Sequence, residues 1–388
     1  MVATGQLIAL LGTKLRFLGK PKATVIDNWA FRLHYRFTFL LFWVSCLIVT
    51  STQFFGDPIQ CIRSANYVDQ RIINNYCWIE GTLTLPDSLH KVQGESVVMP
   101  GVEKYQSGDR VLTHKYYQWV CWVLFLQGIM FYIPRLFWKT WENGFISATI
   151  MDLNSCVLAR SKRETNSKCL VDFLLSRQGK FDRYVLKYTL CEIFNLVNVW
   201  FQIFIINWFL GGQFLTYGFE VLSYNGAPEE IDPMMKVFPK MTKCLFRVYG
   251  SSGDVQVYDN YCLLPLNIIN EKIYVILWFW LILLAVITTL SLIYRIMSFF
   301  SPPVRYTLLK LRARRRRHRL PARIFNTLMD NLSFGDWFFL SLLGKNLDPF
   351  HYQGILELFS RELEEPITDL DEPDSELIKG NNDIEVIS

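Results

Sequence analysis

The chain has 388 residues and a net charge of +5, and its hydrophobic residues (51% of the total) are concentrated in long uncharged runs. Helices buried in soluble proteins rarely extend this far without a charge, so the pattern excludes an ordinary soluble protein. The chain also lacks an H-E-x-x-H motif, a Walker loop and a G-x-S-x-G motif, and its five histidines are scattered. We therefore expect no enzyme, no metal site and no cofactor.

Four uncharged runs predict four membrane-spanning helices, because a helix needs about 20 apolar residues to cross a bilayer. The runs cover residues 37–56, 116–134, 193–219 and 273–294. The third run is too long for one helix, and Gly211 and Gly212 predict its outer end. The chain then divides into an N-terminal helix (1–24), spans at 25–56, 114–136, 189–211 and 272–296, extracellular loops at 57–113 and 212–271, a cytoplasmic loop at 137–188, a cytoplasmic helical domain at 297–361 and an acidic tail at 362–388.

Lysine and arginine predict the orientation of these spans. Residues 1–36, 135–192 and 295–388 hold 29 of the 40 basic residues and have a net charge of +8, against −3 for the two remaining loops. Basic residues are retained in the cytoplasm, so both termini are expected there. The apolar stretch at 7–11 is short and no cleavage site follows it, so the first span serves as the targeting signal.

Read as a helix, the N-terminal residues 4–18 have one apolar face, which consists of Leu7, Ile8, Leu11, Leu15 and Leu18. A helix resting on the inner membrane surface and a helix folded into a pore mouth both fit this pattern. In the second case Thr4 and Gln6 are candidate pore-lining residues.

Polar residues within two spans recur at helical spacing. Thr38, Ser45 and Thr52 are seven residues apart in the first span, whereas Asn195, Asn198 and Gln202 follow i, i+3, i+7 in the third. Such stripes either satisfy hydrogen bonds between packed helices or line an aqueous pore. The four runs contain no charged residue, so we expect neither a proton relay nor a voltage sensor.

Each predicted extracellular loop contains one pair of cysteines, Cys61 and Cys77 in the first and Cys244 and Cys262 in the second. On the oxidising side of a membrane four thiols are expected to form two disulfides, and three pairings are possible. Cys46 and Cys121 lie in spans, and Cys156, Cys169 and Cys191 lie in the charge-bounded cytoplasmic segment 135–192, where they should remain reduced.

A strongly basic run, RARRRRHR at 312–319, follows the fourth span. It fits a solvated helix face or a contact with anionic lipid of the inner leaflet. The candidate lipid-binding residues are Arg312, Arg314, Arg315, Arg316, Arg317 and Arg319. Nucleic acid is not an expected partner of a membrane-bound chain, and the acidic tail lacks aromatic residues and is expected to be disordered.

Several motifs along the chain resemble those of the innexins, the gap-junction proteins of invertebrates, and most closely the arthropod members. The signature is YYQWV, formed by Tyr116, Tyr117, Gln118, Trp119 and Val120. Other shared motifs are GDPI at 56–59, YCWI at 76–79, FYIPRLFWK at 131–139, MDLN at 151–154, DPMMKVFPKMTKC at 232–244, LPLNIINEKIYVILWFW at 264–280 and GDWF at 335–338. The resemblance covers roughly residues 25–360.

The resemblance implies a mainly α membrane protein: a four-transmembrane-helix bundle with a small disulfide-bonded α/β extracellular domain and a helical cytoplasmic domain. It implies a ring of eight subunits around a wide pore for ions and small metabolites, in which the N-terminal helix enters the pore and the first span helps to line it. A second ring from the neighbouring cell, and other innexins, are the implied partners.

Cross-loop disulfides would fix the two loops as one rigid face, and an antiparallel arrangement pairs the first cysteine of one loop with the last of the other. The resemblance implies the same pairing, Cys61–Cys262 and Cys77–Cys244. Two other functions remain open, an undocked pannexin-like hemichannel and a four-span adhesion or scaffold protein. Neither extracellular loop contains an N-x-S/T glycosylation site, which leaves docking sterically open.

Overall fold

The computed structural model describes residues 24–62, 68–91, 94–106, 108–150, 153, 160–227, 230–314 and 320–364. Within them the chain forms two compact units. The bundle unit consists of Asp27–Trp141 and Tyr188–Tyr294, and the helical unit is formed mainly by Glu142–Lys187 and the segment that follows Arg295. The predicted N-terminal helix and most of the acidic tail lie outside the described residues.

The described residues form thirteen helices besides short 3₁₀ turns. In chain order they are α1 (Trp29–Phe55), α2 (Gln70–Glu80), α3 (Val120–Glu142), α4 (Phe145–Ile150), α5 (Arg160–Ser176), α6 (Asp182–Phe209), α7 (Phe214–Ser223), α8 (Pro233–Val237), α9 (Pro265–Phe300), α10 (Pro302–Arg312), α11 (Ala322–Asn331), α12 (Phe334–Asn346) and α13 (Pro349–Glu364). Of these, α1, α3, α6 and α9 are long and apolar enough to cross a membrane. Each corresponds to one predicted span, so the four-helix prediction is confirmed.

The ends of these helices differ from the uncharged runs for local reasons. The second helix begins at Val120 rather than at 114, because a 3₁₀ turn at Tyr116–Gln118 precedes it. The fourth extends from Pro265 to Phe300, well past the run at both ends. An α-helix rises 1.5 Å per residue, so α9 is about 54 Å long and extends beyond a hydrocarbon layer of about 30 Å.

Five strands form one antiparallel sheet in the bundle unit, in the order β1-β5-β4-β2-β3. The strands are β1 (Gln60–Cys61), β2 (Thr82–Thr84), β3 (Leu112–His114), β4 (Met241–Tyr249) and β5 (Val255–Leu263). The first of the two predicted extracellular loops supplies β1, β2 and β3, and the second supplies the central hairpin of β4 and β5. The sheet therefore interleaves the two predicted loops.

One apolar core connects this sheet to the membrane helices of the bundle unit. It includes Phe42 of α1, Ile73 of α2, Phe246 of β4 and Tyr274 of α9, all buried. Because protein interiors are close-packed, the sheet and the helices on which it rests resist independent movement.

The helical unit has an aromatic core of its own. The rings of Phe181 and Phe339 stack with their centroids 4.2 Å apart, and Phe145 lies 5.5 Å from Phe339. Helix α12 begins with a capping box, in which Ser333 and Asp336 each accept a hydrogen bond from the other residue's backbone N–H. The Asp336 carboxylate also accepts from the backbone N–H of Gly179 at 3.0 Å, which fixes the start of α12 against the loop before α6.

Candidate channel and docking elements

Two disulfides join the two loops that the sequence predicts to be extracellular. Cys61 of β1 lies directly opposite Cys262 of β5 and is bonded to it, with an S–S distance of 2.07 Å. Cys77, near the end of α2, is bonded to Cys244 of β4 with an S–S distance of 2.00 Å. These are the two pairings that the resemblance implied. The sulfurs of Cys61, Cys77 and Cys262 lie within 4.8 Å of one another, so the bridges are adjacent, and their sulfurs are committed to disulfides rather than to a metal.

The hairpin of β4 and β5 extends past the rest of the sheet. Among the described residues, β1 pairs only with the end of β5 at Cys262 and Leu263, and β2 pairs with β4 only at Lys243. The distal half of the hairpin is exposed, and Tyr249 and its cross-strand partner Val255 are 81% and 58% exposed. It is a two-stranded ribbon with apolar side chains at its tip, a form of surface that favours contact with another protein.

A buried lysine ties the base of this hairpin to the first loop. Lys243 of β4 is fully buried, and its ammonium group contacts the carboxylate of Asp259 on β5 and the backbone carbonyl of Glu103. The ammonium also lies 5.6 Å from the centroid of the Tyr261 ring. A buried cation is tolerated only with such partners, so the contact holds the segment around Glu103 in place.

The YYQWV motif joins the sheet to the start of α3. Tyr117 is fully buried, with its ring centroid 4.8 Å from that of Trp78 on α2, and Gln118 donates to the carbonyl of Trp78. Tyr116 donates to the carbonyl of Val237 at 3.3 Å. Burial raises the pKa of Tyr117 to about 12, so the ring remains neutral. The motif therefore acts as a structural joint between the two extracellular loops and the second span.

His114 lies at the edge of the sheet in a buried position. A distance of 2.8 Å separates its Nε2 from Oγ1 of Thr84, its neighbour on β2. Burial lowers the pKa of His114 to about 4, because the apolar surroundings disfavour the charged ring. The side chain is neutral at pH 7 and becomes a destabilising group in acid.

The structure corrects the pore-lining prediction for two residues of the first span. Thr38 is fully buried, donates to the carbonyl of Leu33 at 3.0 Å across a π-helical turn, and accepts from Nε1 of Trp280 at 2.9 Å. Ser45 is also buried. Their seven-residue spacing reflects packing against neighbouring helices, so the prediction is wrong for both. Thr52 is only half-buried, and its hydroxyl bonds to the carbonyl of Ile48.

The polar residues of the third span also face other helices. Gln202 donates to Oδ1 of Asn198 at 3.0 Å, and Asn198 donates to the carbonyl of Met130 on α3 at 3.3 Å. Asn195 is buried as well. This outcome agrees with the packing interpretation of the stripe.

Sequence reasoning missed a buried charge cluster at the start of α1. Asp27 is 4% exposed, and its carboxylate pairs with Arg32 at 2.6 Å and Arg135 at 3.1 Å and accepts from the Tyr35 hydroxyl at 2.9 Å. The available signal was Arg135, which bounds the second uncharged run and requires an acidic partner if it is drawn into the bundle.

The remaining candidates divide between described and undescribed residues. Thr4, Gln6, Arg315, Arg316, Arg317 and Arg319 lie outside the described residues. Arg314 is exposed, whereas the guanidinium of Arg312 donates to the backbone and hydroxyl oxygens of Ser341. This contact within the helical unit competes with the lipid contact predicted for Arg312.

A family model and individual relatives all identify the same family. The Innexin family model matches residues 27–363. The chain is 44% identical to innexin inx2 of Drosophila melanogaster over 341 residues, which is 87% of this chain and 91% of that protein. It is 44% identical to innexin inx2 of Schistocerca americana over 89% of this chain and 95% of that one, and 40% identical to innexin shaking-B of Drosophila melanogaster over 90% and 93%.

These matches span both extracellular loops, all four helices and the helical unit. The chain therefore belongs to the innexin family, and it is a multi-pass membrane subunit of oligomeric gap-junction channels, not an enzyme.

Proposed function

We propose that eight copies of this chain form a ring with both termini in the cytoplasm, and that the ring docks onto a ring of the neighbouring cell through the β4–β5 hairpin. The observation that supports docking at this place is the exposed apolar tip of the hairpin, at Tyr249, Val255 and Val257. The resulting channel conducts ions and small metabolites between the two cells.

The base of the hairpin is rigid, which favours docking. Cys244 and Cys262 each bond it to the first loop, and buried Lys243 adds a third connection. A surface that is ordered before it binds loses less conformational entropy on association. The two loops therefore present the tip in one orientation.

Paired-cell recording of Val255→Asp tests the docking surface. The variant places a negative charge in the docking contact of every subunit of the ring. It should reduce junctional conductance at least tenfold, because desolvating an unpaired carboxylate costs several kcal/mol. Val98→Asp is the matched control, since Val98 is an equally exposed valine (65%, against 58% for Val255) of the first loop. It should leave the conductance unchanged.

Single-cell recording of the same variants separates docking from pore formation. We expect Val255→Asp to retain hemichannel current and normal delivery to the cell surface. If it retains full junctional conductance, the hairpin does not form the docking surface. If neither current appears in correctly delivered wild-type protein, alone or with a second innexin, the channel proposal itself is wrong.

The N-terminal residues 1–20 are proposed to enter the pore and to form its narrowest part. Gln6→Cys should then allow a thiol reagent to block the current, whereas the parent chain treated with the same reagent should continue to conduct. Unchanged current after proven modification would support a helix on the membrane surface instead.

The basic run that begins near Arg314 is proposed to contact anionic lipid. A peptide covering residues 305–325 should bind anionic vesicles and lose that binding as salt increases, because about 1 kcal/mol per basic residue is electrostatic. Equal binding to neutral vesicles would contradict the proposal.

A further inference from the structure

The short helix α7 has no counterpart among the four predicted spans. It follows α6 after a turn in which Gly211 and Gly212 have φ values of +67° and +86°, a conformation that favours glycine. Oδ1 of Asn207 on α6 accepts hydrogen bonds from the backbone N–H groups of Phe214 and Leu215, both at 3.1 Å. The start of α7 is thus fixed to the end of a membrane-spanning helix.

One face of α7 packs on α9 beside the uncharged section of that helix. A Cβ added at Gly218 would meet the Trp278 ring at 2.1 Å, and Nε1 of Trp278 donates to the carbonyl of Leu215 at 3.2 Å. Trp278 is six residues past Lys272, the last charged residue before the uncharged run of α9. At 1.5 Å per residue this places Trp278 about 9 Å into the apolar section.

A second face of α7, beside the packed one, is apolar and exposed, and at the border between them the Phe219 ring centroid lies 4.9 Å from that of Trp278. Leu215, Phe219 and Leu222 follow i, i+4, i+7, and their exposures are 49%, 65% and 68%. The charge on this helix lies to one side, because Glu220 accepts from the Thr216 hydroxyl and pairs with Lys236 of α8. The three side chains therefore form an uncharged stripe beside the uncharged section of α9.

We propose that α7 lies in the bilayer leaflet on the side of the disulfide-bonded sheet, and that the stripe of Leu215, Phe219 and Leu222 contacts phospholipid acyl chains. The composition of the helix favours lipid over a neighbouring subunit. Helix contacts between membrane segments are enriched in small residues, and the glycine of α7, Gly218, is used against Trp278, whereas the stripe itself consists of large side chains. Helix α6, which directly precedes α7, likewise exposes the large apolar side chains of Phe204 and Trp208.

Helix α7 is connected through α8 to the hairpin proposed as the docking surface. The ion pair of Glu220 with Lys236, 3.8 Å long, connects α7 to α8, which directly precedes β4. Thickness or acyl composition of the leaflet can therefore influence the base of the hairpin. The lipid contact itself does not depend on docking or on ring size; only the assignment to the outer leaflet rests on the orientation proposed above.

Photocrosslinking in liposomes tests the proposal. A photoreactive benzophenone amino acid replaces Phe219 in the full-length protein, which is reconstituted in phosphatidylcholine vesicles and irradiated. Tyr249 is the matched control, since it is also an exposed aromatic residue but lies at the hairpin tip. Mass spectrometry should find phospholipid adducts at position 219 at least tenfold above those at position 249.

Two results would overturn the proposal. A product of twice the subunit mass from position 219 would place the stripe in a subunit interface, and absence of lipid adducts in assembled protein would place it in water. Replacement of Leu222 by the same amino acid provides a second site if the Phe219 variant fails to assemble. Junctional conductance of both variants, measured separately, distinguishes a failure of the docking proposal from a failure of this one.

Discussion

The sheet of the bundle unit and the core of the helical unit are stabilised by different means. The sheet has short strands, two adjacent disulfides and a buried lysine contact. The described part of the helical unit contains no disulfide, and its exposed Cys169 is free. Its stability comes from stacked aromatic rings and helix caps. The disulfides of the sheet are expected if it faces an oxidising compartment, and the proposed orientation places it there.

The largest expected effect comes from removing a disulfide. Cys77→Ser opens a bridge between residues 167 positions apart, which on chain-entropy grounds contributes roughly 5 kcal/mol. We expect loss of junctional conductance, measured in paired cells. Cys169→Ser, in the helical unit, should have no effect.

The double variant Cys77→Ser, Cys244→Ser sharpens this prediction. Both cysteines belong to one bridge, so the double variant should be no worse than either single one. Non-reducing digestion and mass spectrometry provide a direct check, and a peptide that joins Cys61 to Cys77 would refute the cross-loop pairing.

The next largest effect is expected in the aromatic core of the helical unit. Phe339→Ala removes a buried ring that stacks on Phe181, and such truncations cost about 3–5 kcal/mol. Hydrogen exchange of α12 should accelerate, both with and without a reducing agent. Phe350→Ala, at an exposed position of the same unit, should change little. If a reducing agent changed the exchange rate of α12, the helical unit would depend on a disulfide and not on packing alone.

Acid should weaken the sheet through His114. Its pKa is about 4 when folded and 6.5 when unfolded, so the unfolded chain binds the proton more readily. The stabilising contribution of neutral His114 is complete above pH 6.5 and is lost as the pH falls towards 4. At pH 5 the loss of folding free energy is about 2 kcal/mol. Hydrogen exchange of β2 and β3 measures it.

His114→Gln should remove most of this pH dependence. His90→Gln is the control, because His90 is an exposed histidine in the same loop. Equal pH dependence in the His114→Gln variant and the wild-type protein would exclude His114 as its source.

The smallest of these effects is expected at the helix cap. Asp336→Ala removes the capping box of α12 and the bonds to the N–H of Gly179, which together contribute about 1–2 kcal/mol. Thermal unfolding of the helical unit should reflect this loss. Asp330→Ala, at an exposed carboxylate of α11, should be neutral.

The sequence by itself determined the number of spans, because the length of an uncharged run and the thickness of a bilayer are both local quantities. Its motifs also determined the family, and through it the fold class. It did not determine which way a polar stripe faces: spacing fixes that Thr38 and Ser45 share a face, but only the packed bundle shows that this face is buried against neighbouring helices.

Contacts between distant residues were decided by the tertiary structure. Asp27 meets Arg135 across 108 positions, and no local pattern identifies such a partner. Likewise, the sequence marked the third uncharged run as too long, but only the structure shows that the excess forms a second helix, α7, which packs on α9 through Gly218 and Trp278. Propensity and periodicity act along the chain, whereas burial and ion pairing depend on which segments meet in space.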